Sequence, residues 1–203
     1  VTALYNVVDT YFVSGLGTQQ VAAVSVAFPI SFIFSGIGLT FGVGAGSYIS
    51  RLLGKQDMEK AHQVASTAMF SSVLTSIIAA GIIYAMLTPV LTFMGATETI
   101  MPFAKKYAVI FIISTVFSAV NVTSLTAMLT GAILNMVLDP ILIYPFHLGV
   151  EGAAIATLIS QIVTLGIYIR FFAAGKTAIK IGMSYFKPSR ETYSEMIKIG
   201  IST

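Results

Sequence analysis

The chain has 203 residues and a formal net charge of +3, with 56% hydrophobic and only 9% charged residues. Soluble globular domains carry about 25% charged residues, so this composition is typical of a helical membrane protein instead. The absence of cysteine excludes disulfides and thiol chemistry, and two histidines are too few for a histidine-built metal site. No basic stripe with interleaved aromatics is present, so we expect no nucleic-acid partner.

The hydropathy pattern predicts an all-α membrane protein with six spans. A transmembrane helix needs about 20 mainly apolar residues. In chain order the predicted spans are residues 1–14, 21–49, 64–87, 103–120, 125–146 and 153–174. The first is short and begins inside an apolar run, so we expect its first turns to be missing from this sequence. Pro29 predicts a kink in the second span.

The positions of the basic residues predict a cytoplasmic N-terminus. With that orientation the outside loops carry only Lys105 and Lys106, and the inside carries the other nine, as the positive-inside rule requires. The inside set is Arg51, Lys55, Lys60, Arg170, Lys176, Lys180, Lys187, Arg190 and Lys198. We therefore expect a multi-pass lobe over residues 1–175, a cytoplasmic linker with an amphipathic stretch over 176–196, and the start of a second lobe over 197–203.

The boundary between the fourth and fifth spans is physically awkward. Residues 107–146 contain a single charge, Asp139, and suit two spans, but only residues 121–124 remain for a reversal. Backbone in hydrocarbon must satisfy its own hydrogen bonds, so a reversal there needs a solvated loop. We expect a short polar segment to be missing between Val120 and Thr126.

Two carboxylates, Asp9 and Asp139, interrupt segments that are otherwise fit only for a bilayer. An ionisable group at that depth costs about 2.5–3.5 kcal/mol on insertion scales, so it usually pairs, binds an ion or carries a proton. Asn135 shares a helix face with Asp139 at i, i+4. Their oxygens suit Na⁺ or a hydrogen-bonded proton, and Pro140 removes a backbone donor beside them. The alternative is that Asp139 only caps or pairs structurally.

The first helix carries a second polar group, formed by Tyr5, Asn6 and Asp9. If the first and fifth helices pack together, Asp9 and Asp139 will lie close together around one cavity. Na⁺ could then bind Asp9 together with Asn135 and Asp139, or two neighbouring carboxylates could hold a proton.

Two features of the remaining spans need separate interpretation. Thr157 and Gln161 form an i, i+4 polar pair on the sixth span, which indicates either interhelical hydrogen bonding or a functional role. The glycine-rich run 42–46 lacks the preceding strand and the Lys-Ser/Thr of a nucleotide loop, so close helix packing explains it better.

Five segments together resemble the multidrug and toxic compound extrusion (MATE) transporters. They are residues 4–13 (LYNVVDTYFV), 17–23 (GTQQVAA), 51–57 (RLLGKQD), 134–140 (LNMVLDP) and 149–157 (GVEGAAIAT). The resemblance implies a twelve-helix antiporter of two six-helix lobes in a prokaryotic plasma membrane, and this chain resembles the N-terminal lobe with its linker. Such transporters expel organic cations or other amphiphiles in exchange for H⁺ or Na⁺ and use no further cofactor.

The resemblance also assigns the site residues. The acid of helix 1 matches Asp9, the Asn and Asp of helix 5 match Asn135 and Asp139, and the Thr of helix 6 matches Thr157. These four are the expected cation-coupling residues. The expected supporting or substrate-cavity residues are Tyr5, Asn6, Pro140 and Gln161. The expected partners are the bilayer, amphiphilic or cationic small molecules, and a second six-helix lobe.

Two other functions remain open. A flippase for a lipid-linked or similar amphiphile needs a cavity ringed by Arg and Lys, and the interiors of the spans carry none before Arg170. An intramembrane protease would carry a Gly-flanked catalytic Asp, which the Asp139-Pro140 pair does not match. We therefore expect a transporter and not an enzyme.

Overall fold

The computed structural model describes residues 2–121, 125–173 and 179–201, and the side chains of 7–118, 129–170 and 179–200. All regular structure in these ranges is helical. The α-helices are α1 (Thr2–Val13), α2 (Thr18–Ala27), α3 (Ile30–Gly54), α4 (Met58–Ala85), α5 (Leu87–Phe93), α6 (Met101–Asn121), α7 (Leu125–Ile143), α8 (Gly149–Ala173) and α9 (Arg190–Ile201). Short 3₁₀ turns cover Ser14–Leu16 and Met183–Tyr185.

The described helices account for the six predicted spans. Within the described residues, four segments are long and apolar enough to cross a membrane: Thr18–Gly54, Met58–Ala85, Met101–Ser118 and Gly149–Arg170. Two shorter apolar segments, Val7–Leu16 and Leu129–Ile143, correspond to the first and fifth spans. The prediction of an all-α membrane protein built as a six-helix bundle is confirmed.

The second span is interrupted at Phe28 and Pro29, where the sequence predicts a kink. Proline has no N–H and its ring clashes with the preceding helical turn, so α2 ends at Ala27 and α3 begins at Ile30. The carbonyl of Phe28 accepts from the Ser31 N–H at 2.9 Å and from the Ser31 hydroxyl at 2.7 Å. These bonds satisfy an acceptor that the interruption would otherwise leave free.

Helix α6 lies at the centre of the bundle, where it contacts α2, α3, α4, α5 and α8. Its buried face carries Ala104, Tyr107, Ala108 and Phe111, which have the i, i+3, i+4, i+7 spacing of one helix stripe. Helix α8 packs against both α6 and α7, and α1 packs against α7 and α8. This arrangement brings one face of each of α1, α6, α7 and α8 to a common interior.

Two glycine turns at the same end of the bundle hold these helices in place. Gly17 precedes α2 with φ +121° and Gly149 begins α8 with φ +56°, and both values favour glycine. A Cβ on Gly149 would lie 3.8 Å from Leu16 Cδ1, so the end of α1 adjoins the start of α8. The Tyr144 hydroxyl donates to the Phe12 carbonyl at 2.7 Å and ties the end of α7 to α1.

Three predictions about chain organisation stay predictions. Residues 122–124 and 174–178 lie outside the described ranges, so the expected missing segment between Val120 and Thr126 falls beyond what the structure describes. Helix α9 runs without interruption across the expected linker boundary at 196/197. The cytoplasmic N-terminus is consistent with one end of the bundle carrying Arg51, Lys60 and α9, and the other carrying Lys106.

Replacement of Gly152 by alanine tests the crossing of α7 and α8. A Cβ at Gly152 would lie 3.0 Å from the Leu142 carbonyl and 3.1 Å from the Ile143 nitrogen, so backbone must move. Overpacking of this kind costs about 1–3 kcal/mol. We expect Gly152→Ala to lower the apparent Tm of the purified protein. Gly166→Ala on the same helix is the control, because nothing lies within 4 Å of the new Cβ. We expect this variant to keep the Tm of the unchanged protein. Equal Tm values for both variants would contradict the tight crossing.

Candidate functional site

Five polar side chains from four helices meet in the interior of the bundle. They are Asp9 of α1, Tyr107 of α6, Asn135 and Asp139 of α7, and Thr157 of α8, and none is more than 3% exposed. Each residue lies on the inward face of its helix among other buried positions, which are mainly apolar on α1 and α7 and include polar Ser160, Gln161 and Thr164 on α8. The site is therefore positioned by helix packing rather than by loops.

The side-chain amide of Asn135 joins the two carboxylates. Its Nδ2 atom lies 3.1 Å from Asp139 Oδ1, 3.4 Å from Asp9 Oδ1 and 3.3 Å from Thr157 Oγ1. An amide nitrogen carries two hydrogens, so at most two of these acceptors have a dedicated donor hydrogen at a time. Because both carboxylates contact one nitrogen, the prediction that Asp9 and Asp139 lie close together is confirmed.

Asp9 receives two further contacts from neighbouring helices. The Tyr107 hydroxyl donates to Asp9 Oδ2 at 2.8 Å. Thr157 Oγ1 lies 3.3 Å from Asp9 Oδ2 and 3.5 Å from Asp9 Oδ1. These contacts connect the carboxyl group of α1 to side chains of both α6 and α8.

Two oxygens in the site have no hydrogen-bond partner among the described side chains, namely Asn135 Oδ1 and Asp139 Oδ2. Leaving a buried acceptor unsatisfied costs about 1–3 kcal/mol. Both atoms are hard oxygens of the kind that Na⁺ accepts as ligands, and a proton on Asp139 Oδ2 would turn that atom into a donor. The donor set therefore fits either a small hard cation or a proton.

No cationic side chain in the described ranges compensates the two acids. The ion pairs there join Arg51 to Glu195, Lys60 to Glu191 and Lys106 to Glu151. Nor do the described residues gather three or more His, Cys, Asp or Glu side chains at one point. Two carboxylates close together in a buried interior are costly to charge at the same time, and a bound proton or cation would lower that cost.

The structure describes the side chains of only two of the other residues predicted for the site. Gln161 is buried one turn beyond Thr157 on α8, and Pro140 follows Asp139 within α7, which continues to Ile143. Tyr5 and Asn6 lie in α1, but their side chains are outside the described residues. The functional roles of all the predicted site residues stay predictions.

Sequence reasoning missed Tyr107. It is one of nine tyrosines, and no local motif distinguishes it from the rest. Its position between Ala104 and Ala108 on one stripe of small residues indicates that Tyr107 lies on a buried helix face. The stripe does not indicate which helix the hydroxyl contacts. The Tyr107 hydroxyl reaches Asp9 because α6 and α1 both pack against α8.

A six-helix membrane lobe with a buried and uncompensated acid pair is typical of ion-coupled transport proteins. Residues 1–138 match the profile of the MatE family, and the chain belongs to this family. The homologues in this family are transporters and not enzymes.

Individual relatives resemble the chain along nearly all of its length. The multidrug export protein MepA of Staphylococcus aureus (strain NCTC 8325) is 30% identical, covering 98% of this chain and 48% of MepA. The solved structure described as MATE in the straight conformation is 32% identical with a TM-score of 0.88, covering 98% of this chain and 48% of that one. An inward-facing multidrug resistance MATE family transporter is 32% identical with a TM-score of 0.87, covering 99% and 49%. The chain thus spans about half the length of these relatives.

Replacement of Tyr107 by phenylalanine tests the bond to Asp9. Phenylalanine keeps the ring, which stacks on Phe111 at 5.0 Å, and removes only the hydroxyl. We expect the free energy of unfolding to fall by about 1–3 kcal/mol, because a buried acceptor loses its shortest bond. Tyr144→Phe is the control, since the Tyr144 ring is 41% exposed and solvent can replace its bond. Thermal unfolding of the purified variants measures both, and an equal or larger loss in the control would contradict the assignment.

Proposed function

We propose that this chain forms the N-terminal lobe of a secondary multidrug exporter that exchanges organic cations or other amphiphilic drugs for H⁺ or Na⁺. The observation that carries the proposal is the pair Asp9 and Asp139, which is buried, shares one amide donor and has no cationic partner in the described ranges. The multidrug export named for MepA and the multidrug resistance named for the inward-facing relative support the substrate class.

The exchange follows from the charge of the site. When a proton or Na⁺ occupies the Asp9–Asp139 pair, the interior carries less net negative charge than when the site is empty. The empty site is costly in a low-dielectric interior and favours a helix arrangement that admits water or a cation. Transport results if drug and coupling ion favour different arrangements, because only differential affinity shifts such an equilibrium.

Pro140 is the proposed point at which site occupancy changes helix shape. Its missing N–H removes one bond to the carbonyl of Met136, one turn back in α7. A helix that already lacks a backbone bond bends at low cost. Since Asp139 precedes Pro140 directly, a change in the hydrogen bonds of the carboxyl acts on the bend. We propose that Tyr5, Asn6 and Gln161 support this site or line the substrate cavity.

The proposed transporter requires the bilayer and a second six-helix lobe as partners, with the N-terminus in the cytoplasm. The relatives are about twice as long as this chain, which is consistent with a two-lobe protein. Alternating access then moves one lobe against the other around a substrate between them.

Replacement of Asp139 by asparagine tests the coupling site. In the complete transporter that contains this chain, Asp139→Asn should abolish gradient-driven efflux of a fluorescent organic cation such as ethidium from cells. The amide cannot bind a proton and is a weaker Na⁺ ligand than a carboxylate. Glu98→Gln removes an exposed acid and should leave efflux unchanged. Wild-type efflux in Asp139→Asn, at equal membrane expression, would refute the proposal.

Imposed gradients identify the coupling ion. Proteoliposomes that contain the complete transporter are loaded with ethidium and given a proton gradient or a Na⁺ gradient separately. We expect one gradient to drive ethidium movement in the wild type and neither to do so in Asp139→Asn. A fluorescent phospholipid in the same vesicles tests flippase activity. Gradient-independent movement of that lipid, with no movement of ethidium, would favour the flippase.

A further inference from the structure

The acid site is apolar on the side that faces one end of the bundle. We call this the Lys106 end, because Lys106 and Glu151 form an ion pair there at 3.6 Å, and we call the opposite end the Arg51 end. One helical turn from the site toward the Lys106 end, all four site helices carry buried apolar side chains of a single core cluster. These side chains are Val13 of α1, Ala104 of α6, Ile143 of α7 and Ala153 of α8. This layer offers water and protons no side-chain hydrogen bond.

The buried face of α8 changes from apolar to polar at the level of the site. On the Lys106 side of Thr157 this face is made of Ala153 and Ala154. In the other direction the same face carries the buried polar residues Ser160, Gln161 and Thr164, at i+3, i+4 and i+7 from Thr157. At a rise of 1.5 Å per residue, this polar stripe runs about 10 Å from Thr157 toward the Arg51 end.

Ser160 differs from other buried hydroxyl residues of the lobe. A serine or threonine inside a helix can donate to a backbone carbonyl of the preceding turn. Ser114, Thr115 and Thr164 do so at 2.7 Å. The hydroxyl of Ser160 is fully buried and has no hydrogen-bond partner within the described residues. It therefore keeps both its donor and its acceptor capacity for a ligand.

Water is the ligand that fits this hydroxyl. Buried waters occupy positions where protein polar groups would otherwise lack partners, and they make about three hydrogen bonds each. Residues at i and i+3 of a helix have Cβ atoms about 5–6 Å apart, so one water can bond to both Ser160 and Thr157. Thr157 Oγ1 lies 3.3 Å from Asp9 Oδ2, so a water in this position adjoins the acid pair.

The chemistry of the stripe favours water over a metal ion. Its side chains beyond Thr157 are two hydroxyls and an amide, and none of them carries a charge. A cation there would lack the carboxylate ligands that the acid pair itself supplies. Hydroxyl groups and water both donate and accept hydrogen bonds, which is what the passage of a proton requires.

We propose that Ser160 binds a water molecule through which the acid pair exchanges its proton with the Arg51 end of the bundle. On release, the O–H bond of the protonated carboxyl breaks and a new O–H bond forms on this water. The water gives one of its own hydrogens to the next water along the stripe. Each relay oxygen gains one hydrogen and loses one, so the carboxyl becomes a carboxylate and one proton reaches the solution.

The apolar layer gives this exchange its direction. A proton on the acid pair meets only apolar side chains of the site helices toward the Lys106 end, whereas Ser160 lies one turn away on the other side. In the predicted orientation the Arg51 end is cytoplasmic, so the relay delivers the proton to the cytoplasm. The inference rests on the proposed export function with H⁺ as the coupling ion.

Infrared spectroscopy of the complete transporter in membranes measures the exchange directly. When H₂O is replaced by D₂O, the C=O band of a protonated carboxyl shifts to lower frequency, and the band that is absent in Asp139→Asn belongs to the acid pair. We expect Ser160→Ala to slow this shift by about tenfold, since the relay loses a hydrogen bond. An unchanged rate in Ser160→Ala, or no such band in the wild type at any pH, overturns the relay.

Ser76→Ala is the matched control. The hydroxyl of Ser76 is also fully buried without a partner in the described residues, but it lies on α4, outside the polar stripe of α8. We expect this variant to exchange at the wild-type rate, and equal slowing in both variants overturns the relay. Ser160→Cys keeps a weak donor in nearly the same volume, so its rate should lie between those of the wild type and Ser160→Ala. A Cys variant as slow as the Ala variant also overturns the relay.

Transport in proteoliposomes separates the relay from the export function. Under an imposed proton gradient, Ser160→Ala should lower the maximal rate of ethidium movement and leave its KM for ethidium unchanged. Ethidium movement that only a Na⁺ gradient drives would overturn the relay and leave the export function standing. Absence of ethidium movement in the wild type would count against the export function alone, because the infrared exchange reports the relay independently.

Discussion

A single side-chain amide, that of Asn135, contacts carboxylates from two helices in an interior where the described residues supply no compensating cation. Hydrogen bonds weaken steeply with distance and angle, so this contact exists only if α1 and α7 keep one register. Thr157 and Tyr107 add the same requirement for α8 and α6. The polar site therefore adds a requirement on helix register to that of the apolar contacts. Asp139 Oδ2 and Asn135 Oδ1 have no partner within the part of the chain whose side chains are described. Unsatisfied oxygens at membrane depth have a physical reason if a proton or cation binds them during a transport cycle.

Glycine and proline decide how closely the helices approach and where they break. Gly152 lets α8 cross the backbone of α7, and Gly44 lets α9 touch α3. Pro29 divides the second span and Pro140 follows the acid of the site. Small residues act in this way in membrane bundles because lipid supplies no hydrophobic force between helices and close contact must replace it.

Losing a polar contact costs more at the acid site than at the ion pairs between α9 and the helices α3 and α4. The acid site is buried, so each lost bond carries the full cost of an unsatisfied group. The Arg51–Glu195 and Lys60–Glu191 pairs are exposed, so water replaces them at little cost. The contact of α9 also contains the buried Met196 side chain and a hydrogen bond between Tyr193 and Ser71, so the exposed pairs form only its edge.

The sequence by itself determined the helical membrane class, the six spans, the break at Pro29 and the candidate acids. These follow from local rules, since apolar length, proline chemistry and the cost of a charge in lipid act within a single segment. Only the tertiary structure decided which segments meet: it placed Tyr107 beside Asp9, set residues 179–187 against α4 and brought Gly44 against Met196. Contacts of this kind join residues far apart in the chain and depend on the relative rotation of whole helices, which local propensity does not specify.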